Sequence, residues 1–309
     1  MRAGRPGHAC PVAGFAFPKP RRDTILSSST WLIRPLDDVV VPVTAYLPSR
    51  GHEFLHQPAI YPGLADKTVF ITGGGSGIGA AITAAFAGQK AKVAFVDIAE
   101  RLSRATCKRV ENETGTKPLF IPGDIRDTKA LQAAIEQTRQ SFGDIGVLVN
   151  NAGNDQRHSV EKVTSDYWDE RMALNLRPMF FTAQAVQPHM KRLGGGSIIN
   201  FGSISWMVNM GGFPAYATAK AAVHGLTRTL ARDLGPFNIR VNCVVPGWVM
   251  TERQIKKWLT RKADLERKRA QCLPVRVLPE DVADMVLFLA SDAASKCTAQ
   301  DFTVDGGWA

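Results

Sequence analysis

Thr68-Val69-Phe70-Ile71-Thr72-Gly73-Gly74-Gly75-Ser76-Gly77-Ile78-Gly79 is a short apolar run that ends in glycines and passes into a helical pattern from Ile78 to Ala87. Its first five residues, rich in β-branched and aromatic side chains, predict a buried strand. Glycines let the backbone turn tightly and come close to a pyrophosphate, and the helix N-terminus beyond offers that group N–H donors. The strict Gly-x-Gly-x-x-Gly pattern does not match; Gly-x-x-x-Gly-x-Gly does, at Gly73, Gly77 and Gly79. Such a loop alone is equally a tight turn, so its position carries the weight. A strand precedes it, a helix follows, and Asp97 closes the next strand eighteen residues past Gly79. A carboxylate there pairs with adenosine ribose hydroxyls and repels a 2′-phosphate. No arginine directly follows Asp97, and Ser76 occupies the loop, so the pattern favours NAD over NADP. A solvated strand-end acid is the plainer alternative.

Working outward, strands and helical stretches alternate. Lys92–Val96, Pro118–Ile121, Gly146–Asn150, Ser197–Phe201, Ile239–Val244 and Phe302–Val304 complete a set of seven strands. Strands separated by helices imply right-handed βαβ units. The expected fold is α/β: a single doubly wound Rossmann-type domain over residues 59–309, with a mostly parallel seven-stranded sheet. Residues 1–58 carry eight prolines and no periodicity, and are expected to form an irregular or disordered extension. Their first 22 residues hold five basic side chains and no acid, which suits a targeting segment. However, the apolar stretch from Ala9 to Phe17 is short and contains Pro11, so an extension, or a start placed too far upstream, is the preferred reading.

The chain has 309 residues, 45% hydrophobic and 21% charged, enough for a large core without disulfides or structural metal. No apolar run reaches the roughly 18 residues that would cross a bilayer. The net charge is +10. Half of it gathers in residues 251–270, where Arg253, Lys256, Lys257, Arg261, Lys262, Arg267, Lys268 and Arg269 face Glu252, Asp264 and Glu266. With no aromatic interleaved beyond Trp258, nucleic-acid binding is disfavoured; a solvated helical face, or a basic lid near a bound anion, remains. Five scattered cysteines without a Cys-x-x-Cys pair suit reduced thiols in a cytoplasm. Of the six histidines, His52 and His56 form a single His-Glu-x-x-His string, but it falls in the proline-rich extension without the helical pattern such a zinc site needs, so no metal is expected.

Tyr216 and Lys220 stand four apart in a helical stretch opened by Pro214, so both side chains share one face. Ser203 lies thirteen residues before Tyr216, just past a strand, where open α/β sheets place ligands. Together with Asp124 in Gly123-Asp124-Ile125, Asn150-Asn151-Ala152-Gly153, Asn175 in Leu174-Asn175-Leu176, Pro246-Gly247-Trp248-Val249-Met250-Thr251 and Val304-Asp305-Gly306-Gly307-Trp308, these signatures resemble the short-chain dehydrogenase/reductase family. The resemblance covers residues 61–309.

It implies catalysis by Asn175, Ser203, Tyr216 and Lys220. Tyr216 would take the substrate hydroxyl proton, Ser203 orient the substrate oxygen, and Asn175 anchor a water through which Lys220 relays the proton. For efficient base catalysis the phenol must fall by about three pH units from 10, roughly 4 kcal/mol, which Lys220 and a positive nicotinamide together would supply. The implied NAD contacts are Gly73, Gly75, Ser76, Gly77, Ile78, Gly79, Asp97, Asp124, Ile125, Asn151, Ala152, Gly153, Tyr216, Lys220, Pro246, Gly247, Val249 and Thr251. A homotetramer is also implied, through the helices containing Asn175 and Tyr216 and the last strand; Ala215, Ala217, Ala219, Ala221 and Ala222 suit either such packing or the core.

Tyr61-Pro62-Gly63-Leu64, Asn154 through His158 and Phe201 through Trp206 look like bacterial aldose 1-dehydrogenases for xylose, arabinose or galactose. These oxidise the anomeric carbon to the lactone. On this resemblance Asn154, Gln156, Arg157, His158, Ser205 and Trp206 are candidate sugar contacts, although Arg157 and His158 suit loop capping as well. Apolar Met207, Met210 and Phe213 weaken the xylose reading and keep open another secondary alcohol or ketone, such as a 3-oxoacyl thioester. A non-enzymatic scaffold would have lost catalytic residues, and all four are present. Finally, Gln89-Lys90-Ala91 stands where the family ends its first helix on glycine, so either Lys90 adopts a strained backbone or the helix stops at Gly88.

Overall fold

The structure is a computed structural model and describes residues 58–309. The extension expected over 1–58 therefore lies, Pro58 excepted, outside the described residues. Seven strands form one parallel sheet: β1 (Thr68–Thr72), β2 (Lys92–Asp97), β3 (Leu119–Pro122), β4 (Ile145–Asn150), β5 (Gly196–Phe201), β6 (Ile239–Pro246) and β7 (Asp301–Val304). Their order across the sheet is β3-β2-β1-β4-β5-β6-β7. The chain moves outward from β1 to β3, then crosses back to β4 beside β1, which makes the β1/β4 boundary the switch point. The third strand begins at Leu119, one residue later than expected. Pro118 has no N–H for the ladder, and pairing with β2 starts at Leu119 opposite Ala94.

Helices α1 (Gly77–Gly88), α2 (Glu100–Thr114), α3 (Thr128–Phe142), α4 (Ser165–Asn175), α5 (Arg177–Arg192), α6 (Pro214–Leu234), α7 (Glu252–Trp258), α8 (Arg261–Ala270) and α9 (Pro279–Ala290) complete the domain. Alternate strand residues enter opposite cores. Val69, Ile71, Val93 and Phe95 pack with Ile82 and Phe86 of α1 and Val286 and Leu287 of α9. Phe70, Ala94 and Val96 pack with Leu131 and Ile135 of α3 and Val186 and Met190 of α5. Both faces are covered, which is why β1 reads as an unbroken apolar run. Each such Val, Leu, Ile, Phe or Met side chain contributes roughly 2 kcal/mol by leaving water.

The end of α1 combines both expectations. The helix stops at Gly88, and Lys90 takes a left-handed φ of 63°. The Lys90 N–H donates to Ala87 O at 3.0 Å and the Ala91 N–H to Phe86 O at 3.1 Å. This is the paired closure that a left-handed residue at this position permits, made here without glycine. Among the described residues no helix is long and apolar enough to cross a membrane.

Candidate active site

The turn after β1 is built by steric exclusion. Gly73 and Gly77 have φ of 71° and 53°. A Cβ on Gly79 would lie 1.8 Å from Gly73 O, and one on Gly75 would lie 2.1 Å from Ser103 Oγ. The Asp97 carboxylate, at the end of β2, accepts the Gly75 N–H at 2.9 Å and the Ala99 N–H at 2.8 Å. On the other side, Asn151 Nδ2 donates to Thr72 O and Gly73 O, each at 3.0 Å. Backbone packed this closely, beside a helix N-terminus with no side-chain cap at Ser76, fits a dinucleotide pyrophosphate, and the carboxylate fits its ribose.

A cavity of about 1020 Å³ runs along the C-terminal edge of the sheet. Gly73, Ser76, Gly77, Ile78, Gly79, Asp97, Asp124, Ile125, Asn151, Ala152, Gly153, Pro246, Gly247, Val249 and Thr251 line it, as do Ser203, Tyr216 and Lys220. Gly75 is not in the wall, because its N–H is turned to Asp97 and its Cα against Ser103. Asn175 is fully buried behind the wall, accepting the Asn154 N–H at 2.8 Å and donating to Arg171 O at 3.0 Å. A Cβ on Gly153 would meet Asn175 Oδ1 at 3.1 Å and Lys220 Nζ at 3.3 Å, so this glycine lets the two side chains close on the backbone. Asp124 is bonded to Arg126, whose guanidinium holds the carboxyl below its usual range.

Tyr216 and Lys220 project from the first two turns of α6. The buried Lys220 ammonium donates to Phe201 O at 2.8 Å, and loss of solvent brings its pKa down to about 8. The Tyr216 phenol is pushed up to about 12 by loss of solvent, with its hydrogen bond to Ser203 acting the other way. The lowering expected from Lys220 is therefore not supplied by the folded chain itself. Lys220 Nζ lies 5.8 Å from the Tyr216 ring centroid and spends a hydrogen bond on Phe201.

At the outer end, Asn154, Arg157 and Ser205 line the cavity, together with Asp155, Met210 and Phe213. Gln156, His158 and Trp206 do not. Gln156 Oε1 faces Arg171 at 3.5 Å. His158 Nε2 accepts the Ala215 N–H at 3.4 Å, leaving Nδ1 for Gln156 O and the Tyr167 hydroxyl, so it clamps the loop to α6. Trp206 turns outward, donating to His224 Nε2 at 3.3 Å.

Among the wall residues that were not site candidates on the sequence are Asp155, Arg253 and Gln254. Asp155 accepts Gln254 Nε2 at 2.8 Å and pairs with Arg253 at 3.0 Å, tying α7 across the cavity. An acid between Asn154 and Gln156, facing a basic stretch elsewhere in the chain, was the available signal. The basic stretch thus divides. Arg253 turns inward, Arg267 is buried against Asp264 and Val275 O, and Lys256 and Lys262 pair with Glu252 and Glu266 on the surface. Arg157 lies 3.9 Å from the Phe213 ring centroid and 5.4 Å from that of Trp258.

A parallel sheet with a glycine turn at its switch point, a strand-end acid facing the cavity and a Ser-Tyr-Lys group in the same cavity fits a dinucleotide-dependent oxidoreductase. The family model described as Enoyl-(Acyl carrier protein) reductase matches residues 73–309. The chain is 50% identical over 247 residues to a protein named probable galactose dehydrogenase GalD of Rhizobium meliloti, covering 80% of this chain and 96% of that one. It is 52% identical over 250 residues to D-xylose 1-dehydrogenase of Caulobacter vibrioides, covering 81% and 98%. Among solved structures, L-sorbose reductase of Gluconobacter frateurii, complexed with NADPH and L-sorbose, superposes with a TM-score of 0.75 at 28% identity, covering 79% of this chain and 97% of that one. The chain belongs to the short-chain dehydrogenase/reductase family and is an oxidoreductase.

Proposed function

We propose that this enzyme is an NAD-dependent aldose 1-dehydrogenase, oxidising the anomeric carbon of a xylose-, arabinose- or galactose-type sugar to its lactone. The observation that carries the reading is the polar outer wall of Asn154, Asp155, Arg157 and Ser205 within the cavity that holds Ser203 and Tyr216. A sugar presents several hydroxyls, and buried donors and acceptors that pair with them reject substrates lacking them. The names of the two relatives near 50% identity point the same way.

Asp97 supports NAD over NADP, since its carboxylate stands where a 2′-phosphate would bring a second negative charge. The glycine turn would hold the pyrophosphate, Asp124 and Ile125 the adenine side, and Val249 and Thr251 the nicotinamide side. When bound, NAD accepts the hydride released by the substrate carbon. Tyr216, as phenolate, takes the proton of the anomeric hydroxyl, while the Ser203 hydroxyl donates to the same oxygen and fixes its place. Lys220, carrying its proton below about pH 8, would favour the phenolate only together with the positive charge of bound nicotinamide, since the folded chain alone leaves the phenol raised. Asn175 positions the Asn154 backbone beside Gly153 and so shapes the floor on which Lys220 rests. A cytoplasmic homotetramer is the assembly this reading carries.

A second reading keeps the chemistry and changes the substrate. Met210 and Phe213 line the cavity and suit a ketone or 3-oxoacyl thioester. Formation of reduced nicotinamide, followed by absorbance with purified protein, NAD or NADP, and panels of aldoses and aliphatic alcohols, separates the two. Oxidation of one or a few aldoses with NAD, abolished in Tyr216→Phe, is the expected result. Silence on every aldose with reduction of acyl thioesters or simple ketones would overturn the sugar reading.

A further inference from the structure

Tyr216 and Lys220 are two members of a longer stripe on α6. His224 follows at the same spacing, so the three side chains share one face of the helix. Each reaches the short segment that runs from the last residue of β5 to Trp206. Lys220 Nζ donates to Phe201 O at 2.8 Å, Tyr216 is hydrogen-bonded to Ser203, and His224 Nε2 accepts the Trp206 indole N–H at 3.3 Å. The imidazole also packs beneath the peptide leading to Ser203. A Cβ on Gly202 would lie 3.1 Å from His224 Nε2 and 2.9 Å from Cys243 Sγ.

We propose that His224 is a positioning residue, anchored by Asp301, that sets Ser203 against Tyr216 by gripping Trp206 and Gly202. The proposal rests on the Ser203–Tyr216 reading of the site and is independent of which substrate is oxidised. The hydrogen bonds dictate the tautomer. An indole N–H can only donate, so His224 Nε2 carries the lone pair and Nδ1 carries the proton. That proton points to Asp301 Oδ1, 3.0 Å away. Asp301 opens β7 opposite Cys243 of β6, and its other oxygen lies 3.5 Å from Arg228 Nη2, one turn further along α6. The ring is thus fixed between the sheet edge and the Ser203 segment. Cys243, His224 and Asp301 cluster closely, yet the imidazole has no free lone pair to give a cation, because Trp206 occupies the single one it has.

None of His224, Asp301 and Trp206 lines the cavity, so they act through Ser203. Misplacing a catalytic group slightly costs rate more than binding. Exchanging His224→Phe keeps a ring and removes both hydrogen bonds; Trp206→Phe removes one from the surface side. His224→Gln retains an acceptor for the indole and a donor for Asp301.

Two measurements on the full chain test this, each including Tyr216→Phe. In proton NMR the Trp206 indole N–H, identified by its loss in Trp206→Phe, should shift in His224→Phe and return toward its position in His224→Gln. In turnover of D-xylose or D-galactose, His224→Phe and Trp206→Phe should each lower kcat about tenfold at unchanged NADH affinity. The double variant should lose no more than either single one, as expected for one shared contact, and His224→Gln should recover most of the rate. An unmoved indole resonance, wild-type kcat in His224→Phe, or losses that multiply in the double variant would overturn the proposal. Full activity in Tyr216→Phe would instead overturn the reading of the site on which it stands.

Discussion

Gly79, in the first turn of α1, lies directly against Gly73 at the end of β1: a Cβ on it would stand 1.8 Å from the Gly73 carbonyl oxygen and 2.7 Å from Asn151 Nδ2. Both neighbours are fixed, since Asn151 bonds that carbonyl and the one before it. Gly79→Ala should therefore open the turn and abolish NADH binding, measured by fluorescence enhancement of the reduced dinucleotide. Gly88→Ala, where a Cβ meets nothing within 4 Å, should leave binding unchanged.

Asp97 both orders the turn, through Gly75, and faces the cavity. Ile98 beside it is 72% exposed and also lines the cavity, so a cation placed there would reach a 2′-phosphate. Asp97→Asn combined with Ile98→Arg should raise kcat/KM for NADP and lower it for NAD, each by about tenfold or more, equivalent to roughly 1.4 kcal/mol per tenfold. An unchanged NAD:NADP ratio would remove Asp97 from cofactor choice.

Asp155 is a charged clasp between the loop after β4 and helix α7. Its removal leaves Arg253 without its carboxylate and Gln254 without its acceptor. Asp155→Ala should raise KM for the sugar about tenfold or more, because losing one partner of such a pair costs roughly 1–3 kcal/mol. Asp155 also raises the Tyr216 pKa. The acid limb of the kcat/KM profile should accordingly move to lower pH in the variant.

Burial of Lys220 makes stability depend on pH in a defined direction. Its pKa falls from 10.5 to about 8 on folding, so between those values the unfolded chain binds more protons than the fold. Stability should therefore rise as pH increases through that window, by about 3 kcal/mol at most. Tyr216 opposes this from pH 10 upward, since folding raises its pKa to about 12 and the unfolded chain releases that proton first. Urea unfolding of dinucleotide-free protein from pH 8 to 10 should show the climb, and Lys220→Met should flatten it.

Lys90 holds a left-handed φ of 63° at the end of α1. Glycine removes the Cβ conflict there, worth about 1 kcal/mol, although its greater freedom in the unfolded chain offsets part of the gain. Lys90→Gly should raise stability by about 0.5 kcal/mol, read from the urea midpoint; a lower midpoint would mean that the Lys90 ammonium bond to Thr114 O outweighs the strain.

The features legible in the sequence are those whose physics is local. Glycine alone tolerates the turn at 73–79, unbroken apolar runs mark strands covered on both faces, and a spacing of four places Tyr216 and Lys220 on one helical face. The strand-end position of Asp97 follows from the same short-range pattern. Each of these depends on a few adjacent residues and would read the same in any chain.

Tertiary structure alone decided which polar side chains of the outer loop enter the cavity. Asn154, Asp155 and Arg157 do, while Gln156 and His158 are taken by Arg171, Tyr167 and Ala215. Trp206, a sugar contact on the sequence pattern, turns away because His224 and Asp301 hold it from the other side. In an irregular loop no periodicity assigns a facing direction, and the nearest competing donor or acceptor does so instead. Those competitors come from helices and strands far along the chain: Arg253 and Gln254 meet residues 154 and 155 across separations of 99 residues. Helical and strand geometry is fixed by neighbours in sequence, whereas a loop's hydrogen bonds are fixed by neighbours in space, and only the folded chain supplies those.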